Sequence, residues 1–132
     1  MDIRQLLTQN QLNNFDESIA LELIQKIEKG NIQDLSCSSL RVRAEIIVLI
    51  ATALANCSNL HTVDMCDNKL GEHGPATAKN LAQSPSIHTV YMNHNNLSSA
   101  DAIKIANSFA YKNNPITLGI EDSLRGAHIG NN

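Results

Sequence analysis

Leu60-His61-Thr62-Val63-Asp64-Met65-Cys66-Asp67-Asn68-Lys69-Leu70 returns 27 residues later as Ile87-His88-Thr89-Val90-Tyr91-Met92-Asn93-His94-Asn95-Asn96-Leu97. Apolar residues hold positions 1, 4, 6 and 11 of both copies, and asparagine holds position 9. Side chains two apart in a strand share a face, so Val63 with Met65, and Val90 with Met92, are expected to bury together. Asn68 and Asn95 fall where the strand ends. Backbone donors and acceptors lose their ladder partners there, and an amide that both donates and accepts can satisfy them from inside. Leu70 and Leu97 close the core beneath the turn. One such unit cannot bury its own apolar face, so the units must stack.

Each copy continues into a helical pattern. After Leu70, Gly71 and Gly74-Pro75 open a helix with Ala76, Ala78, Leu81 and Ala82 as its inward candidates; proline is tolerated in a first turn. After Leu97, Ser98 or Ser99 caps a helix with Asp101 in its first turn, and Ala102, Ile103, Ala106, Phe109 and Ala110 form the expected inner stripe. Upstream, Ile32, Leu35 and Cys37 take positions 1, 4 and 6 of a degenerate unit. Its position 9 is Leu40 and its position 11 is Val42, so its turn is expected to be made differently. The helix after it, Ala44 to Ala55, is apolar on more than one face and is expected to be buried. Downstream, Leu118 and Ile120 occupy positions 4 and 6 of a last partial unit, with Ser123 and Arg125 at positions 9 and 11.

Residues 2–29 lack the repeat but carry helical periodicity. Ile3, Leu6, Leu7 and Leu12 suit one short helix; Ile19, Ala20, Leu23, Ile24 and Ile27 suit a second, capped by Asn14 or Asp16 and stopped at Lys29-Gly30. This reads as a helical cap on the open end of the repeats.

At 132 residues with a net charge of −3 and no basic run, the chain lacks the electrostatic footprint of a nucleic-acid binder. Its longest apolar stretch, Ala44 to Ala55, is too short to span a bilayer, and the N-terminus has no charged-then-apolar signal region. A soluble chain making no membrane contact is expected. Cys37, Cys57 and Cys66 form no C-x-x-C pair, and an odd, scattered set fits a reducing compartment.

The spacing resembles the leucine-rich-repeat signature L-x-x-L-x-L-x-x-N-x-L. The 27-to-28-residue period, the stretch Asn68-Lys69-Leu70-Gly71-Glu72-His73-Gly74, and helices ending in Leu54-Ala55, Leu81-Ala82 and the approximate Phe109-Ala110 look like its ribonuclease-inhibitor-like class. That resemblance implies an α/β fold: a short right-handed solenoid with parallel strands on the concave side, helices on the convex side and a helical N-terminal cap. The expected organisation is one folding domain with a cap over residues 1–30, three to four repeats over 31–123 and a frayed tail over 124–132. It also implies an intracellular, cytoplasmic protein-recognition module; some bacterial pathogens deliver such repeats into host cells as effectors acting on host proteins. Fold analogy carries that much and no more.

On each strand, positions 2, 3, 5, 7 and 8 point away from the core. The candidate binding face is therefore His61, Asp64, Cys66 and Asp67 beside His88, Tyr91, Asn93 and His94, with Glu121 on the last strand. Thr62, Thr89, Asp34, Ser36, Ser38 and Thr117 extend it. Strand stacking should align His61 with His88 and Asp64 with Tyr91. The expected partner is an unidentified protein or peptide, with Tyr91 as its anchor. Imidazole, thiolate and carboxylate all ligate zinc, so His61 and His88 with Asp64, Cys66, Asp67, His94 or Glu121 form a conceivable metal site. Solvated strand-face residues explain the same cluster, because it follows from the repeat; no metal and no cofactor are expected. An enzyme using Cys66 with His88 or His94 is the alternative from another class. A monomer without catalysis is the favoured reading, and self-association through an uncapped C-terminal edge is the structural alternative.

Overall fold

The computed structural model describes residues 14–30, 32–110 and 116–121. The expected first helix over Ile3 to Leu12, Ser123, Arg125 and the tail over 124–132 lie outside them. Helix α1 (Asn14–Glu28) buries Ala20 and Leu23, with Ile19 and Ile27 partly covered. It ends as expected at Gly30, whose φ of +73° places it in the left-handed region that glycine enters without cost, and whose N–H donates to the Ile27 carbonyl.

Strand and helix then alternate: β1 (Asp34–Ser36), α2 (Ala44–Leu54), β2 (Thr62–Asp64), a 3-10 turn (Gly71–His73) leading into α3 (Gly74–Leu81), β3 (Thr89–Tyr91), α4 (Ser99–Ala110) and β4 (Thr117–Gly119). The four strands form one parallel sheet in chain order, with Leu35, Val63, Val90 and Leu118 in line across it. Helices α1 to α4 pack each against the next. Between sheet and helices lie Leu60, Val63, Met65, Ile87, Val90 and Met92, all essentially inaccessible, against Ile46, Ile50, Leu54, Leu81 and Ile105.

The repeated pattern has a repeated backbone. Positions 8 and 10 are left-handed in three successive units: Ser39 and Arg41, Asp67 and Lys69, His94 and Asn96, with φ between 51° and 61°. Such conformations cost of order 1 kcal/mol each outside glycine and persist only where the surroundings fix them. In the first two of these units a buried asparagine of the next unit does the fixing. Asn95 Oδ1 accepts from the backbone N–H groups of Asn68 (2.8 Å) and Leu70 (3.4 Å), while its Nδ2 donates to the Met65 carbonyl at 2.9 Å. Asn68 repeats this one unit earlier, accepting from Leu40 N–H at 3.1 Å and donating to the Cys37 carbonyl at 2.8 Å. Each amide thus closes the corner of the unit before it. This corrects the expectation that the first unit turns differently: its corner is closed by Asn68, and Leu40 replaces asparagine where no described unit precedes it.

Two expected helix faces are also corrected. In α3, Ala76 is exposed and Thr77 is buried instead, its hydroxyl donating to the His73 carbonyl at 2.9 Å. In α4, Ile103 is 62% exposed and Ala106 and Ala110 point out, whereas Ile105 and Phe109 are buried. Ser98 and Asp101 set the start of that helix by exchanging side-chain caps, Asp101 N–H to Ser98 Oγ at 3.0 Å and Ser98 N–H to Asp101 Oδ2 at 3.3 Å. With isoleucine at both 103 and 105, periodicity alone does not choose. The choice is made by Gly74 of α3, whose missing Cβ would stand 3.1 Å from Ile105 Cδ1 and 2.7 Å from Leu97 Cδ2.

Candidate protein-binding face

The register places the strand-face residues in rows. Thr62 pairs with Thr89, Asp64 with Tyr91, and Tyr91 with Gly119. One position before the strands, His61 and His88 stack with ring centroids 5.1 Å apart and planes inclined by 23°. His88 Nδ1 lies 3.0 Å from Thr89 Oγ1. Tyr91 is 38% exposed and lies over Gly119, where an added Cβ would stand 2.9 Å from its Cδ1. Glycine on β4 is therefore what lets the ring lie along the sheet. A cavity of 430 Å³ opens beside it, between Asn93, Gly119 and Glu121.

Next to the ring, Asn93 Oδ1 accepts from the Glu121 backbone N–H at 2.6 Å, which joins the third unit to the fourth. Asp64 Oδ1 accepts from the Cys66 backbone N–H at 2.9 Å. Asp67, His88, His94 and Glu121 are exposed, while His61, Asp64, Cys66 and Asn93 are partly covered. All nine candidate residues are thus on the strand side or its adjoining corner. Their formal charge comes from Asp64, Asp67 and Glu121, and neighbouring Asp34 adds to it; positions 2, 3, 5, 7 and 8 of the described strands contain no lysine or arginine.

The chemistry of this face disfavours a thiolate nucleophile. Burial pushes the Cys66 thiol up to about 11, and hydrogen bonding and charge from Asp64 add to that. Such a thiol stays largely protonated at neutral pH. Burial drives Cys37 to about 12, with Asp64 again contributing. The stacked imidazoles meet face to face, so their in-plane lone pairs do not converge on a common point. Among the described residues no three His, Cys, Asp or Glu side chains are gathered to hold a metal ion, and no helix is long and apolar enough to cross a membrane.

Beyond the rows, at the corners where the strands end, lie Arg41, Arg43 and Lys69, which the sequence reading passed over. Their signal was present in the recurrence of a cation at position 10 in two successive units. No basic run marked it, because Lys69 lies 26 residues after Arg43 in the chain.

No protein-family model matches the chain, and no curated protein matches it in sequence. In structure it is similar to the tropomodulin C-terminal domain of Caenorhabditis elegans, with a TM-score of 0.66 and 15% sequence identity over 81% of this chain and 64% of that one. The chain therefore spans less than two-thirds of the length of that neighbour. At this identity the likeness is one of fold, a mixed α/β arrangement of the leucine-rich-repeat type.

Proposed function

We propose that this chain is a recognition module that binds a protein or peptide partner across its strand face, without catalysis. The carrying observation is Tyr91: an exposed ring seated on Gly119, in register with Asp64, on a face otherwise polar and acidic. Aromatic rings held in one orientation contribute contact area at small entropic cost and dominate many interfaces. A partner with a basic stretch flanking an apolar side chain complements this arrangement.

The finer reading places the repeats in the ribonuclease-inhibitor-like class, as a right-handed solenoid over 31–123 whose open end is covered by a helical cap over 1–30. Its support is the left-handed pair recurring in three units and the packing of α1 against α2. In this reading the protein works as an intracellular monomer, and the binding face is open to a host protein if the source is a pathogen.

Affinity capture from a cell lysate tests the proposal, using the parent chain and a folded variant carrying Tyr91→Ala and Asp64→Lys. A protein retained by the parent and lost by the variant supports recognition at the strand face. Equal retention by both, or no specific retention by the parent, overturns it.

A further inference from the structure

The described cations are Lys26, Lys29, Arg41, Arg43, Lys69, Lys79 and Lys104. Three of them, Arg41, Arg43 and Lys69, line one open groove of 790 Å³ at the ends of the first two strands. Arg41 and Lys69 are 28 residues apart in sequence but occupy the same position of successive corners. Stacked units bring such positions to about 4.8 Å spacing along the sheet direction. Their left-handed backbones, at φ 61° and 51°, are fixed by the asparagine bonds beneath them, so the two cations stand on a rigid base.

Two cations of the groove, Arg41 and Lys69, stand at exposed positions. Asp67 is the one carboxylate along it, and neither Arg41 nor Lys69 is paired with a carboxylate among the described residues. His94 closes the third side. The chain as a whole carries −3, and the strand face beside the groove carries Asp34, Asp64, Asp67 and Glu121 without a lysine or arginine.

From this juxtaposition we propose that the corner groove is a second docking site, for a short acidic segment of a partner protein whose aspartate or glutamate side chains meet Arg41 and Lys69. Charge segregation selects the occupant. A nucleic acid carries regularly spaced phosphates, and its continuation from the groove onto the acidic strand face would be repelled. A polypeptide can place acidic residues in the groove and neutral or basic ones on the strands. Occupation of the groove goes beyond the strand-face proposal and does not require it.

The test is fluorescence anisotropy of a labelled hexaglutamate peptide titrated with the full chain, at low and at physiological ionic strength. Saturable binding is expected. An Arg41→Glu/Lys69→Glu variant, changed only at exposed positions, should bind at least about tenfold more weakly, because like charges are then opposed. A Lys79→Glu/Lys104→Glu variant makes the same charge change on helices α3 and α4 and should bind as the parent does. Circular dichroism melts establish that both variants fold. Tyr91→Ala should leave this binding intact, which separates the groove from the strand face. Three results would each overturn the proposal: no saturable binding by the parent, equal losses in the two reversal variants, or tighter binding of a labelled oligothymidylate than of the peptide.

Discussion

Replacing Asn95 by alanine tests the interlocking of the units most directly. The side chain is inaccessible to solvent, and its amide holds the backbone N–H groups of Asn68 at 2.8 Å and Leu70 at 3.4 Å. Alanine leaves both donors without that acceptor in a place water does not reach. The carbonyl of Met65 loses the bond from Asn95 Nδ2 but keeps one from Asn68 Nδ2 at 3.0 Å, so it adds little. A buried donor stripped of its partner costs about 1–3 kcal/mol, and the longer Leu70 contact belongs at the lower end. The sum is about 2–4 kcal/mol, a large share of the roughly 5–15 kcal/mol that stabilises an ordinary domain. Urea unfolding followed by circular dichroism measures it, with Asn107→Ala on the exposed face of α4 as the control, expected within about 0.5 kcal/mol of the parent. A loss below about 1 kcal/mol for Asn95→Ala at unchanged m-value would refute the idea that each asparagine closes the preceding corner.

Leu60→Ala and Leu81→Ala remove fully buried side chains between sheet and helices and should each cost about 2–5 kcal/mol, read by the same unfolding assay. Gly74→Ala places a methyl 2.7 Å from the buried Leu97 Cδ2. Overpacking of about 1–3 kcal/mol should outweigh the roughly 0.5–1 kcal/mol that alanine gains in a helix, so the variant should melt below the parent; an equal or higher Tm would show that Leu97 has room to yield. Alkaline pH should also weaken the fold. The Cys37 thiol is raised from 9.0 to about 12 by burial and by Asp64, so between those values the unfolded chain loses a proton that the folded chain keeps. The stability linked to this thiol is present below pH 9.0 and declines as pH rises toward about 12, by about 1.4 kcal/mol per unit. Melts of Cys37→Ala across that range should fall less steeply, and parallel slopes for variant and parent would exclude the thiol as the cause.

Much of the strand side was legible in the sequence because it depends on a period. Two copies with matching residues at positions 1, 4, 6, 9 and 11 fix which side chains enter the core and which strand residues lie beside one another. The pairings of Asp64 with Tyr91 and of His61 with His88 follow from that spacing. The helices were less legible. Ile103 and Ile105 offer competing stripes of similar hydrophobicity, and the contact with Gly74 across two units chooses between them.

The basic groove was least legible, although every residue in it was in view. Arg41 and Lys69 belong to different units, their backbones enter the left-handed region under restraint from Asn68 and Asn95, and no window along the chain contains them together. The sequence by itself determined the repeating unit, since alternation and periodicity are properties of one element and its own residues. Only the tertiary structure decided which corner each asparagine closes, which face of α4 turns inward and where the cations gather. Those outcomes depend on contacts between units 27 or 28 residues apart, whose energies exist only after the strands have stacked.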